Sequence, residues 1–487
     1  MYYVFLNAKL PDGELADAII YHPSTGVVKV TTADRLHAYS PYTKIDVDQK
    51  IVTEGLSDTH MHLLSTALEG YRLDLRSIKS IEDIKKAVKK RVSIQGPNSW
   101  IIGRGWDQDK LVENRMPTRY DLDEVAPDTP VFLIRVCGHV AVANTKALEL
   151  LGVLDEKSIL PYVDFEDGKP SGILFEKAVD YAVSRLPPPS VTEAVEALRR
   201  VIQRYLGLGV TCLNSMSAPP LELESVTKLL QIEAVNICYH AYVDFEHINL
   251  VSNPEYAVHI RGVKLFSDGS FGGWTAALRQ PYQDKDTSGK LLLTADNIIT
   301  IAQHAHEKGL LTAVHAIGDR ALEEVLKAAS RAQNIRIEHA SLTPPDLVDK
   351  IAEYKPWITV QPHFILSDTW IVDRLGERAK YVYAYKTLLS TGTLVTGSSD
   401  SPVEPLNPWL GVFAAIDRGE SLKLPIYNYT RDQRLSFDEA LGLYTNSFEG
   451  KTPSIVVLNT REVPRRKEEF EKIRASLVMI GGRTLSF

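Results

Sequence analysis

From Gly55 onward, short runs of apolar and β-branched residues alternate with stretches whose apolar positions recur every three or four residues. The first pattern predicts strands buried on both faces, and the second predicts helices with one buried stripe. The strands expected are Gly55–His62, Val210–Leu213, Asn236–Val243, Gly262–Asp268, Leu310–His315, Ile335–His339, Trp357–Gln361 and Leu394–Gly397. Helices such as Ala295–Lys308 and Arg320–Arg331 lie between them. Eight strands alternating with helices is the count that a parallel (β/α)8 barrel, the TIM-barrel fold of the α/β class, requires. The interval of about 150 residues between the first two strands far exceeds an ordinary connection. An inserted subdomain is therefore expected over residues 66–190, with a helix at Ile81–Val92, a strand at Pro130–Val136 and a helix at Thr145–Leu151. It closes at Pro187-Pro188-Pro189.

The chain ends read differently. Strand-like runs at Tyr3–Leu6, Ala18–Tyr21, Val27–Thr31 and Lys44–Val47 are separated by turns such as Pro11-Asp12-Gly13 and Pro23-Ser24-Thr25-Gly26. Two more, Ser454–Leu458 and Ala475–Ile480, follow the last barrel strand. The expected organisation is a small β-sandwich domain from residues 1–53 and 452–487, with the barrel over 54–451. The charged run Arg465-Arg466-Lys467-Glu468-Glu469 reads as a solvated helix start or loop.

Composition narrows the function classes. At 487 residues the chain is too long for one ordinary core, and 44% hydrophobic with 24% charged residues fits a globular protein. A net charge of −7 gives no electrostatic case for nucleic acid or an anionic membrane surface. The expected partner is a small-molecule substrate, and a homo-oligomer is compatible with the sequence. Cys137, Cys212 and Cys238 stand alone, with no CxxC pair, and are expected as buried thiols in a reducing compartment. No basic N-terminal region precedes an apolar core and no run of 18 apolar residues occurs, so the expected location is the cytoplasm, without a membrane span.

The chemistry concentrates at strand ends. In His60-Met61-His62 the two imidazoles are two residues apart on a strand, so they share a face and can grip one metal ion. Three later apolar runs also end in metal-capable residues: His315, His339 and Asp400. Active sites of (β/α)8 barrels sit at the C-terminal strand ends, which brings all five residues to one mouth. Imidazole and carboxylate donors suit zinc, manganese or iron(II), and the set is large enough for one or two divalent ions. A two-ion site needs a bridging anion. Lys264, a lysine within an apolar strand, could supply it as a carbamate, with a salt bridge to Asp268 or Glu176 as the plain alternative; Glu176 is also an alternative bridge.

These segments, with Gly55-Leu56-Ser57-Asp58, Gly105-Trp106-Asp107, Pro117-Thr118-Arg119-Tyr120-Asp121, Gly138-His139, Val263-Lys264-Leu265-Phe266-Ser267-Asp268-Gly269, Val314-His315-Ala316-Ile317-Gly318-Asp319-Arg320 and Gly397-Ser398-Ser399-Asp400-Ser401-Pro402, resemble the amidohydrolase superfamily. The resemblance is to amidohydrolase family 3, the branch that contains N-substituted formamide deformylases. It implies a metal-bearing (β/α)8 barrel with a β-sandwich from both termini. It also implies His60, His62, His315, His339 and Asp400 as metal ligands and a carboxylated Lys264 as the bridge, with zinc the expected metal. One departure is that Lys451-Thr452-Pro453-Ser454-Ile455-Val456-Val457-Leu458 is a shortened version of the family's last segment, which predicts a reduced sandwich.

The expected activity is hydrolysis of an amide-type C–N bond by a metal-activated water, with Asp400 as general base and then general acid. His139, in an insert that could close as a lid, and His363, after the seventh strand, are expected to help stabilise the oxyanion. Trp106, Asp107 and Arg320 are weaker candidates for substrate contact. The same scaffold would serve a deaminase or an ester or phosphoester hydrolase, and a non-catalytic metal-binding barrel is the reading from another class.

Overall fold

The eight expected strands form as β1 (Leu56–Met61), β2 (Val210–Ser215), β3 (Cys238–Asp244), β4 (His259–Phe266), β5 (Leu311–Ala316), β6 (Ile335–His339), β7 (Trp357–Val360) and β8 (Val395–Gly397). The computed structural model describes residues 1–95, 99–135, 139–232, 237–446, 448 and 450–487. Val136, Cys137, Gly138 and Asn236, which the sequence placed in strands or motifs, lie outside the described residues. The strands pair in parallel and in chain order, from β1 to β8, in one eight-stranded sheet. Backbone bonds between the end of β1 and the turn after β8 draw the two edges together: Asp400 N–H donates to His60 O at 2.7 Å and His62 N–H to Ser401 O at 2.8 Å. Thr59 Oγ1 adds a bond of 3.0 Å to Gly397 O.

The helices follow the apolar spacing that predicts them. Asp319–Ala329 buries Ala321, Leu322, Val325 and Leu326, one face at intervals of three and four. Ala295–Glu307 starts at a capping box in which the Thr294 hydroxyl and the Asn297 side chain exchange bonds with each other's backbone.

By its contacts the chain forms two units, Met1–Thr66 with Ala194–Phe487, and Ala67–Glu193. Besides the barrel, the first unit holds two four-stranded sheets built from both chain ends. Three N-terminal strands and Tyr42–Asp46 make one, and Val52–Glu54 with three C-terminal strands makes the other. Phe5, Ile19, Tyr21, Val52, Ile455, Val457 and Met479 form one buried cluster across them. The shortened last segment thus still supplies an inner strand, Ser454–Leu458, between Val52–Glu54 and Ala475–Ile480. The charged run opens a short helix, Lys467–Glu471, with Arg466 at its N-cap.

Among its described residues the second unit holds six strands where the sequence predicted one, with the expected helices beside them in the chain. The other five are short or glycine-interrupted. Ile101–Trp106 contains Gly103 and Gly105, and Lys169–Phe175 contains Gly172. At Gly172, with φ of +94°, a Cβ would meet Ala143 O at 2.4 Å, so only glycine fits there.

One expectation is corrected in the barrel. Cys212 and Cys238 are not separate thiols but a disulfide. The register of β2 on β3 sets Cys212 directly opposite Cys238, which brings together two residues 26 apart in sequence. Among the described residues no helix is long and apolar enough to cross a membrane.

Candidate metal centre

The C-terminal ends of β1, β4, β5, β6 and the turn after β8 bring the metal-capable side chains together. His60 Nε2 lies 3.4 Å and His62 Nε2 3.3 Å from Asp400 Oδ1, and the ligand atoms of these three residues all lie within 4.8 Å of one another. The His339 ring centroid is 4.8 Å from that of His60 and 4.5 Å from that of His315. Lys264 Nζ is 3.3 Å from His60 Nε2. The six residues predicted as metal ligands and bridge therefore form one continuous cluster.

Each imidazole is held by one ring nitrogen and presents the other. His60 Nδ1 bonds Glu338 Oε2 at 2.5 Å, His62 Nδ1 bonds Met216 O at 3.0 Å, and His339 Nδ1 bonds Gln361 Oε1 at 2.7 Å. His315 is held the other way round, by Nε2 to Gly269 O at 2.9 Å, which leaves Nδ1. Orienting partners of this kind fix the tautomer and ring direction of metal-binding histidines. Burial holds His60 and His339 neutral: both pKa values fall well below the ordinary value, and for each the loss of solvation is the largest cause. A neutral imidazole is the form that binds a metal. The donor chemistry and the orienting bonds both fit a divalent ion.

Asp400 and His339 carry positive φ, +57° and +73°. Residues other than glycine held there cost about 1–3 kcal/mol each, strain that tends to persist at functional sites where the surroundings enforce it. Here the cross-barrel bond from Asp400 N–H to His60 O helps enforce it. Burial alone would raise the Asp400 pKa, but His60, His62 and Lys264 outweigh it and leave the carboxyl below its ordinary value.

Lys264 is 2% exposed, and burial brings its pKa down to about 8 against the pull of Glu338 and Asp400. It does not pair with Asp268. The oxygens of Asp268 accept the N–H groups of Ala277 at 2.8 Å, Ile317 at 3.1 Å and Gly318 at 2.8 Å, and face His315 Nε2 at 3.3 Å. Asp268 instead anchors the long connection after β4 to the turn after β5. Gly318 belongs to the same anchor: a Cβ there would lie 2.0 Å from Ala277 O.

Beneath the ligands lies a polar network that the sequence reading did not single out. Glu338, fully buried, faces His60 on one side and Arg336 on the other, with Arg336 Nε 2.6 Å from Glu338 Oε1 in an ion pair that lacks hydrogen-bond geometry. Arg336 Nη2 also reaches Glu338 Oε2 at 3.3 Å and bonds Thr59 O, and Nη1 bonds the Tyr242 hydroxyl at 3.1 Å. The signal was present in β6. Arg336 and Glu338 alternate with Ile335 and Ile337 on a parallel strand, where both faces are ordinarily apolar.

The remaining candidates separate. His363 follows β7, is part-buried, and pairs through Nδ1 with Glu404. Nearby in the chain, the Tyr383 hydroxyl bonds Asp368, whose pKa burial raises to about 6. Arg320 is exposed, and its backbone N–H bonds Ala277 O at 3.1 Å. Trp106, expected at the substrate, is fully buried in the second unit, packs against Val131 and Leu133 in an apolar core, and donates Nε1–H to Leu133 O at 2.9 Å. Asp107 pairs with Arg135 at 2.8 Å. In the same unit His139 Nδ1 bonds Glu176 Oε2 at 3.0 Å, both side chains being exposed.

A sequence model described as the amidohydrolase family matches residues 43–447. YtcJ of Bacillus subtilis (strain 168) is 33% identical over 472 residues, covering 92% of this chain and 88% of that protein. N-substituted formamide deformylase of Arthrobacter pascens is 25% identical over 434 residues, covering 82% and 79%. Among solved structures, an uncharacterized metal-dependent hydrolase from Pyrococcus furiosus superposes with a TM-score of 0.75 at 34% identity, over 91% of this chain and 93% of that one.

Proposed function

The chain belongs to the amidohydrolase family, and from that premise we propose that it is a metal-dependent hydrolase that cleaves an amide-type C–N bond of a small molecule. The observation that carries the reading is the Asp400 carboxylate, ionised and 3.3–3.4 Å from two imidazoles at the barrel mouth. A protein that only held metal would need no such base. Similarity to N-substituted formamide deformylase supports the C–N bond.

His60, His62, His315, His339 and Asp400 would hold the metal, with zinc the best match to these donors. When bound, the ion supplies Lewis acidity, which lowers the pKa of a water and polarises a carbonyl. Asp400 takes the proton of the attacking water and returns it to the leaving nitrogen, so one carboxylate serves as base and then as acid. Lys264, with a pKa near 8, has a neutral fraction at neutral pH that can add CO2, and the resulting carbamate is an anion suited to bridge two ions. His363, held through Nδ1 by Glu404, would offer Nε2 to the substrate carbonyl oxygen.

The test is Asp400→Asn, assayed by amine release from a panel of N-substituted amides beside a metal analysis. The expected result is metal largely kept and turnover lowered by about 10²–10⁴, the range for a lost general acid–base group. Unchanged turnover would contradict the assignment.

A further inference from the structure

A second cluster of metal-capable side chains lies on two other strands of the same barrel. Cys212 on β2 and Cys238 and His240 on β3 are all buried, and their ligand atoms lie within 4.8 Å of one another. Cys238 is the first residue of β3, so the cluster sits toward the strand N-termini, away from the mouth that carries Asp400. The geometry points to a second, redox-gated metal site, closed when Cys212 and Cys238 are joined and open to a thiophilic divalent ion such as zinc when they are reduced.

Three observations carry this. First, the donors are of one kind: two sulfurs and an imidazole nitrogen, with His240 Nε2 3.9 Å from Cys238 Sγ. Two thiolates and a histidine form a set that zinc favours and that magnesium or calcium does not. Second, a backbone oxygen stands beside the nitrogen: Gly450 O accepts from the His240 ring and lies 3.6 Å from Cys238 Sγ, a further donor next to the three. Gly450 has a φ of +86°, and a Cβ there would come within 3.1 Å of His240 Nε2 and Cε1.

Third, the Asn214 amide sets the tautomer of His240, and turning the amide over switches it. Its Nδ1 lies 3.1 Å from the Asn214 side-chain amide. With the Asn214 carbonyl toward it, Nδ1–H donates, and the Nε2 lone pair faces the sulfurs; this is the arrangement of a metal-binding histidine. With the amide turned over, its NH2 donates to Nδ1 and its carbonyl accepts from Arg336 Nη1 at 3.0 Å, which leaves Nε2–H toward the disulfide. The turned-over orientation is the one that satisfies the amide, since the first sets its NH2 against Arg336 Nη1, so the metal-binding tautomer is reached only when an ion holds Nε2. The His240 ring also meets that of His259 edge-on at 5.3 Å, a further imidazole beside the cluster.

Opening the site requires a dithiol. A thiolate of the dithiol attacks one protein sulfur and the sulfur–sulfur bond breaks. The second dithiol sulfur then closes on the first. The dithiol leaves as a disulfide, and the protein gains two electrons and two protons as two thiols. Binding of a divalent ion then releases both thiol protons.

Cobalt(II) is the probe, because thiolate ligation gives it an intense sulfur-to-metal charge-transfer absorption that the nitrogen and oxygen donors of the catalytic cluster do not give. Full-length protein is reduced with a dithiol, freed of reductant without oxygen and titrated with cobalt(II), beside unreduced protein. The expected result is one further equivalent bound per chain after reduction, with the charge-transfer band, and neither in the unreduced sample. Cys212→Ser is expected to lose most of the band and His240→Ala to bind the cobalt more weakly, each keeping the metal of the catalytic cluster. The wild-type comparison stands even where a variant fails to fold. A reduced protein with two more titratable thiols than the unreduced one but no added cobalt would overturn the proposal, as would a pair that no dithiol opens in the folded protein. A cobalt affinity unchanged in His240→Ala would overturn it too.

Discussion

Glu338→Gln is the sharpest probe of the buried layer beneath the metal ligands. Glu338 is wholly buried and joins His60 Nδ1, at 2.5 Å, to Arg336, itself 1% exposed. The amide keeps the shape and can still accept from His60, but it removes the charge that pairs Arg336. Loss of an orienting partner behind a metal-binding histidine typically weakens metal affinity about 10–100-fold, or about 1.4–2.8 kcal/mol. Breaking a buried ion pair costs about 3–5 kcal/mol of stability when one charge is left unpaired. The bonds of Arg336 to Thr59 O and Tyr242 place the expected loss at the lower end of that range. Chelator competition measures the first effect and denaturant unfolding of the metal-free protein the second. Metal affinity within twofold of wild type, together with stability within about 0.5 kcal/mol, the scatter of ordinary surface substitutions, would refute the reasoning.

Three further outcomes follow from the same geometry. Lys264→Ala should lose most activity and regain part of it with added formate or acetate, since a small carboxylate can fill the space of a carbamate; no rescue in a folded, metal-loaded variant would count against the bridge. Asp368, with its pKa raised to about 6 in the folded protein, binds its proton more tightly folded than unfolded, so its contribution is fully present below the unfolded pKa near 4 and is lost as pH rises through 6. Asp368→Asn should remove that downward slope from unfolding curves taken between pH 4 and 6.5, and an unchanged slope would exclude the group. Gly318→Ala, which sets a Cβ 2.0 Å from Ala277 O, should cost about 1–3 kcal/mol by overpacking the turn, read as a lowered Tm.

The barrel was legible because its strands obey one rule, apolar runs buried on both faces, and several are broken at the C-terminal end by a residue with a task. His60, His315, His339 and Asp400 are conspicuous for that reason. The second unit obeyed no such rule. Leu73–Asp74 and Val140–Ala143 are too short to declare themselves, and only pairing within the sheet makes them strands. Cys212 and Cys238 could not be paired from their spacing, because the bond depends on the register of β2 against β3. Arg336 and Glu338 were readable in principle, since two charges alternating with isoleucines on a barrel strand have nowhere to point but into the interior.

The central claim is that the strand ends hold a divalent metal on which hydrolysis depends. Its most direct test is the metal content of the full-length protein purified without chelator, beside a His60→Ala/His62→Ala double variant of matched folding. The account predicts one or two zinc-like divalent ions per wild-type chain and the loss of at least one in the variant. A wild-type protein without stoichiometric divalent metal, or a double variant with the same content, would contradict it.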